Sequence, residues 1–399
     1  MTRVLSIDVM RGMALMCMAL VHFMIYFGDS KAANTWPHFI LDHVLGDWGA
    51  ACFLTMMGMS QVLSAKKRTD DAVSPLRKAL VRGGYLFLVG LAMLALTWGP
   101  SQLWQWDILT LMGTMTVVVF FSRALPSGLI LALCLLVATA TPWLREGIDY
   151  ASVWGGQLVQ VPVISEYFPG ILLDPGSDFK VIWTARDVAR GFLFTGYFPF
   201  LPWALFPLVG IVLGRRLAQG RFRDDLPFVA IIGALFVSLG LGGAWASRLR
   251  PGSSAIFDYL APLAIYPDSF TMINFQLGMA LVVFSGLYLA LDVGRKEGAG
   301  NGLFVSLCVR TSQYSLTFYF LHYLLIGWPL AIAAAILGRE HVLASLLGAS
   351  PALAAGLAGL VILETILFLW ERRSGRFSLE WGLAVLTSRL SRRAPALPP

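Results

Sequence analysis

Ten stretches of this chain run for about twenty residues each with almost no charge, at 6–27, 47–65, 83–98, 105–122, 127–144, 197–214, 227–246, 271–292, 312–336 and 352–371. A helix needs about 20 apolar residues to cross the hydrocarbon core of a bilayer. Ten such spans occupy about half of the 399 residues and leave the rest for loops and ends. Charged residues are only 13% of the chain, about half the ~25% of a soluble domain. Mean hydropathy is +0.71. A soluble enzyme, a disordered protein and a disulfide-stapled secreted module are thereby excluded. The pattern predicts an all-α polytopic membrane protein with about ten transmembrane helices.

Charge placement orients the spans. The net charge of +7 would suggest a nucleic-acid partner in a soluble protein; here it follows from the enrichment of Lys and Arg in cytoplasmic loops, and no nucleic acid is expected. With the N-terminus inside, the loops after spans 2, 4, 6 and 8 hold Lys66, Lys67, Arg68, Arg77, Lys78, Arg82, Arg123, Arg215, Arg216, Arg221, Arg223, Arg295 and Lys296. Arg3, Arg11, Arg310 and the six arginines of the C-terminal part bring the inner side to 22 of the 30 cations. Both ends are therefore expected in the cytoplasm. One long outer loop, about 145–196, is inserted in a single transmembrane domain, 1–377. A tail, 378–399, reads as an amphipathic helix in which Trp381, Val385, Leu386 and Leu390 alternate with Arg389, Arg392 and Arg393. It is expected on the inner membrane surface, with anionic headgroups as partner.

The first apolar run is too long for a cleavable signal and contains Arg11, so it is read as a retained span. Cys17, Cys52, Cys134 and Cys308 lie inside apolar runs at spacings that fit neither a metal site nor a disulfide framework. They read as small core hydrophobes.

Ionisable side chains inside a bilayer are costly and mark functional candidates. The first span carries Asp8, Arg11 and His22. Asp8 and Arg11 are one turn apart, which suits a local ion pair. Arg11 and His22 are eleven residues apart, about 16 Å of rise, and return to within about 20° of one face. The following outer segment holds His38, His43 and Asp47. A carboxylate at i+4 from His43 could orient an imidazole for proton transfer, or half a metal site; no further ligand stands at a convincing spacing, so no metal is expected. Asp107 lies at the outer end of span 4 and Glu364 within span 10, near Arg372 and Arg373, where it reads as structural. His322 lies within span 9 and needs a polar partner; Ser315 and Tyr319 on the same helix are candidates. Basic groups at the inner mouth, a mid-membrane histidine and further histidines outside fit two functions: a reaction conducted across a bilayer, and a proton-coupled transporter or exporter.

Five blocks carry a family resemblance. The opening Arg3-Val-Leu-Ser-Ile-Asp-Val-Met-Arg-Gly-Met-Ala, the block from Asp47-Trp-Gly to Gly58, Trp106-Asp-Ile-Leu-Thr-Leu-Met-Gly113, the block from Phe200-Leu-Pro-Trp to Gly-Arg215, and Ser315-Leu-Thr-Phe-Tyr-Phe-Leu-His322 together resemble, in order, the heparan-alpha-glucosaminide N-acetyltransferase family in its bacterial branch. They extend over roughly residues 3–330. The Arg11–His22 spacing also matches the basic-X10-His motif of the related acyltransferase-3 membrane family. In the eukaryotic lysosomal enzymes Asn stands at the place of His22, and the histidine held to be catalytic follows in the next luminal loop, where His38 is the nearest counterpart.

The resemblance implies transfer of an acetyl group from cytoplasmic acetyl-CoA to a hydroxyl or amine outside, with a glycan-type acceptor and a bacterial inner membrane as the setting. The base would be His22 or His38; His22 has its spacing set by a helix. Asp47 ranks first among carboxylates that could orient the base, and His322 joins the catalytic candidates. Arg11, Arg82 and Arg310 would bind the donor's phosphates. An imidazole could act as general base or form an acyl-histidine, and the residues do not choose. Small residues such as Gly356 and Gly359 near Ala354 suit a homodimer or packing within one chain equally.

Overall fold

The first apolar run folds as one unbroken helix, α1, Leu5–Phe27, one residue from the span read in the sequence. In the computed structural model of the chain, the described residues are 3–29, 48–66, 74–98, 100–145, 184–249, 268–294, 302–337 and 347–391, with 35, 46 and 263. His38, His43, Asp47 and most of the 145–196 loop lie outside them.

The other apolar runs follow as helices in chain order. They are α2 (Gly49–Lys66), α3 (Pro75–Trp98), α4 (Ile108–Ser122) and α5 (Ser127–Arg145). The short α6 (Ala185–Arg190) continues through a π turn at Gly191–Thr195 and a single turn at Phe200–Trp203 into α7 (Leu205–Ala218). Then come α8 (Phe222–Leu249), α9 (Phe270–Leu291), α10 (Leu303–Gln313), α11 (Ser315–Leu337), α12 (Ala349–Arg372) and α13 (Leu379–Ser391). Among the described residues seven helical segments are long and apolar enough to cross a membrane: α1, α3, α5, the composite Val188–Ala218, α8, α9 and α12. The helices α2 and α4 are apolar but shorter, and α11 has 23 residues with no Asp, Glu, Lys or Arg. No strand forms among the described residues; Gly28 and Leu347 make an isolated bridge that ties the end of α1 to the start of α12.

The helix α10 departs from the sequence reading. Its Ser, Arg, Thr and Gln hide it from a hydropathy window, yet Cys308, Thr311 and Ser312 are buried. It packs against α1, and the crossing is at backbone distance: a β-carbon on Gly12 would stand 2.0 Å from the carbonyl oxygen of Cys308. Gly58 and Gly210 do the same for α2 and α7, where a β-carbon on Gly210 would lie 2.2 Å from the Thr55 carbonyl oxygen. In lipid, helices gain little from apolar burial against one another, so small residues that permit close backbone contact hold them together. Gly359 instead makes room for a side chain. A β-carbon there would meet the Phe23 ring at 2.3 Å, so this small-residue stripe packs within the chain. All four cysteines are free thiols.

Candidate active site

Helix α1 is the spine of the site, and it touches the neighbouring elements at two levels. At the lower level, Arg11 Nη2 donates to Ser60 Oγ on α2 (2.6 Å) and Nη1 reaches Ser312 Oγ on α10 (3.5 Å). Ser312 Oγ in turn donates to Asp8 Oδ1 (3.0 Å). Asp8 pairs with Arg3 at 2.5 Å. The local Asp8–Arg11 pair suggested by spacing is therefore replaced by a serine bridge. Arg11 sits over Phe53, 5.9 Å from the ring centre, and is held by hydroxyls. Among the described residues no carboxylate lies within ion-pair distance of it. The charge of Arg82 on α3 acts on the same guanidinium.

The upper level lies eleven residues along α1 and ten residues beyond Ser312, so α1 and the α10–α11 segment run side by side in one direction. Here His22 Nδ1 meets His322 Nε2 at 2.9 Å. The rings stack, with centroids 5.2 Å apart and planes 14° from parallel. Tyr323 flanks both, 5.0 Å from His22 and 4.2 Å from His322. His322 is fully buried.

The hydrogen bonds assign the protons. His322 Nδ1 faces the carbonyl oxygen of Tyr319, one turn earlier on α11. A carbonyl only accepts, so Nδ1 carries the hydrogen and neutral His322 presents a lone pair at Nε2. His22 must then donate from Nδ1. Its own Nε2 is left with a lone pair, and the pair exposes a single basic nitrogen. The Tyr319 hydroxyl is used elsewhere: it donates to Asp107 Oδ2 (2.7 Å). Asp107 is buried and its Oδ1 caps α4 by accepting from Leu109 N (3.0 Å). The residue before it, Trp106, has φ of +59°, a left-handed conformation that is rare for a bulky side chain and needs support. That support is present: Trp106 Nε1 donates to Val188 O (3.0 Å) and its carbonyl accepts from Phe198 N (3.0 Å). Beside it lies a cleft of about 580 Å³ lined by Trp104, Trp106, Ala185, Val188, Ala189 and Phe192.

Carboxylates from other elements hold the first turns of the two histidine helices. Asp292, at the end of α9, accepts from Leu5 N (2.8 Å) and Ser6 N (2.9 Å) of α1. Glu380 of α13 accepts from Leu316 N (2.6 Å), Thr317 N (3.1 Å) and Thr317 Oγ1 (2.5 Å) of α11. These are N-cap interactions delivered across the fold. They also show that the C-terminal helix, expected on the membrane surface, is bonded to the bundle by its first turn. Tyr85 of α3 donates to Leu379 O (2.9 Å) at the same place.

The remaining candidates separate clearly. Arg310 is held by Glu371 (2.8 Å) and Glu364 (3.3 Å) and lies over Phe368. Glu364, read from the sequence as a neighbour of Arg372 and Arg373, is bonded instead to Arg310 and Thr311. Sequence reasoning missed Ser60, Ser312 and Tyr323, because serines and tyrosines are common in such helices and only their partners distinguish them. Among the described residues no cluster of three His, Cys, Asp or Glu could hold a metal ion.

A family model described as heparan-alpha-glucosaminide N-acetyltransferase, catalytic, matches residues 3–240. The chain belongs to this family. The match covers Arg11, His22, Ser60, Arg82 and Asp107 and ends before His322 and Tyr319. The late block that ends at His322 therefore rests on the resemblance read in the sequence. A search of curated proteins finds no match.

Proposed function

We propose that the chain is a membrane acetyltransferase that moves an acetyl group from acetyl-CoA in the cytoplasm to an amine or hydroxyl, of a sugar, on the other side of the membrane. Membership in the N-acetyltransferase family supports the reaction class. The observation that carries the reading of the site is the His22–His322 pair, whose hydrogen bonds leave one basic nitrogen, His22 Nε2, eleven residues along α1 from an arginine hydrogen-bonded to two serine hydroxyls.

In this reading Arg11, with Ser60 and Ser312, binds a phosphate of the donor by charge-assisted hydrogen bonds. Arg82 adds charge at the same mouth, while Arg310 serves the structure through its two carboxylates. About 16 Å of helix separates Arg11 from His22, comparable to the length of a pantetheine arm. His22 Nε2 takes the proton of the acceptor as that group attacks the thioester carbonyl, and returns it to the CoA sulfur as the carbon–sulfur bond breaks. The positive charge that forms on His22 is met by the lone pair of His322 Nε2, which stays aimed because the Tyr319 carbonyl holds the far side of its ring. His22 attack on the thioester, giving an acyl-histidine, is the other route open to the same nitrogen. His38, Asp47 and their surroundings lie outside the described residues, and His38 remains the rival base. The cleft beside Trp106 is the acceptor's side. Ten spans with both ends in the cytoplasm fit the 22 cations on one side, in a bacterial inner membrane.

The test is acetyl-CoA binding and turnover by the purified chain in nanodiscs. Wild type is expected to bind and slowly hydrolyse acetyl-CoA; His22→Ala binds without hydrolysis; Arg11→Ala binds poorly. If wild type does not bind acyl-CoA at millimolar concentration, the reading fails. Flux driven by a proton gradient then tests the transporter alternative.

A further inference from the structure

A second basic site lies on the opposite face of α2 from the Arg11 cradle. The C-terminal ends of α2, α4 and α7 converge on a cleft of about 530 Å³, walled by Val62 and Ala65, by Phe120 and Phe121, and by Arg123 and Arg215. Arg215 is fixed in place: Nη1 donates to Ser127 Oγ (2.8 Å), and Nη2 to the carbonyls of Arg123 (2.9 Å) and Leu125 (2.7 Å). Arg123 lies over the Phe120 ring at 5.0 Å. Its Nε is buried without a hydrogen-bond partner. Among the described residues neither arginine has a carboxylate within ion-pair distance. Two cations without a matching carboxylate among the described residues line one cleft, and an anion bound there would meet their charge.

The walls narrow the choice of anion. Apart from the arginines the lining is apolar, and Phe121 is 58% exposed at the bundle's surface. A ligand that suits this lining has a phosphate at one end and hydrocarbon at the other. The donor's path is an unsuitable source. Ser60, which holds Arg11, precedes Val62 by two residues, so their side chains point about 200° apart around α2. The cleft therefore opens away from the cradle and toward lipid. Three helix ends gathered at one level also place the cleft where headgroups lie.

We propose that this cleft binds an anionic phospholipid, its headgroup phosphate on Arg123 and Arg215 and an acyl chain along Phe121 and Val62. Basic pockets between membrane helices select anionic headgroups in this way. The proposal does not depend on acetyl transfer, because lipid retention is read with no acyl donor present.

The full chain is reconstituted in nanodiscs of phosphatidylcholine with a minor share of phosphatidylglycerol, returned to detergent, and its retained lipids are weighed by native mass spectrometry. Wild type is expected to enrich phosphatidylglycerol about fivefold over its share, the effect of about one basic contact. Arg123→Gln brings the ratio back toward that of the bilayer. Ala124→Leu, which fills the cleft and keeps both charges, does the same, and gel filtration confirms that each variant is folded. The proposal is overturned if wild type retains the two lipids in their bulk ratio, or if both folded variants keep the enrichment. Displacement of the lipid by inorganic phosphate alone would overturn the lipid assignment in favour of a simple phosphate site.

Discussion

The two levels at which α1 meets the α10–α11 segment are built from different materials. At the upper level two imidazoles, Tyr319 and Tyr323 form a cluster in which the partners are neutral and the fully buried His322 has both ring nitrogens engaged. At the lower level the polar groups are ions and hydroxyls. Most of those ions are matched: Asp8 by Arg3, Arg310 by Glu364 and Glu371. Arg11 stands apart because its hydrogen bonds among the described residues go to serines. On the function proposed above, the difference separates the place for chemistry from the place for binding. A proton acceptor needs a dry, neutral, oriented site, whereas an anion site needs a cation whose charge is not already cancelled.

The sharpest break in this comparison is His22→Ala. Loss of a general base costs typically 10²–10⁴-fold in rate, so acetyl transfer in nanodiscs should fall by about that much while acetyl-CoA binding stays. Equal loss of binding would mean that the upper level is not a separate chemical site. Arg11→Ala should do the reverse, raising KM for acetyl-CoA by about 10–100-fold for the loss of one charge-assisted contact of about 1.5–3 kcal/mol, with kcat less affected. If Arg310→Ala raised KM as much as Arg11→Ala, the division of the arginines into one held by hydroxyls and one paired with carboxylates would be wrong. Arg310→Ala is instead expected to lower stability by about 1.5–3 kcal/mol, since it leaves Glu364 without its cation; thermal unfolding in detergent measures it. His322→Ala removes the acceptor that meets the charge forming on His22; the charge-assisted bond exceeds the neutral ground-state bond by about 1 kcal/mol, so about a fivefold loss in kcat is expected. A loss as large as that of His22→Ala would make His322 a full partner in the chemistry.

The smallest effect concerns Glu380, which holds the first turn of α11. Burial pushes its carboxyl above the usual carboxylate range, against the opposing pull of Thr317 and backbone donors. A carboxyl raised on folding contributes stability that is full at low pH and declines as pH rises through the raised value. The melting temperature of wild type should therefore fall relative to Glu380→Gln as pH rises from the ordinary carboxylate range toward neutrality. A difference that stays flat with pH would show that Glu380 does not change its protonation there.

Much of the frame was legible in the residues. Each of the ten apolar runs is mostly helical, although 197–214 is broken at Leu201 and the helices holding 83–98 and 227–246 begin several residues earlier, because a stretch without charge buries its backbone polar groups only by bonding them within itself. The tail helix was legible from its alternation of apolar and basic residues, and Arg11 with His22 from the rarity of such groups in a span. The helix α10 was not legible, since its polar residues look like a loop until Cys308 and Ser312 are seen against α1. The partners were not legible either. Spacing along one helix suggested Asp8 for Arg11 and, for His322, Ser315 or Tyr319; the fold supplied Ser60, Ser312 and His22 from other helices, and used the Tyr319 carbonyl while sending its hydroxyl to Asp107.

The sequence alone determined that the chain is helical and apolar, where its apolar runs lie, and which face of α1 is polar, because period and hydropathy are local properties. The tertiary structure decided that His22 stacks on His322, that Arg11 bonds to Ser60 and Ser312, and that Asp292 and Glu380 cap helices to which they do not belong. Those contacts join residues about 50 to 300 positions apart. They depend on the register and rotation of packed helices, which glycines such as Gly12 bring to backbone contact, and no local pattern encodes that register.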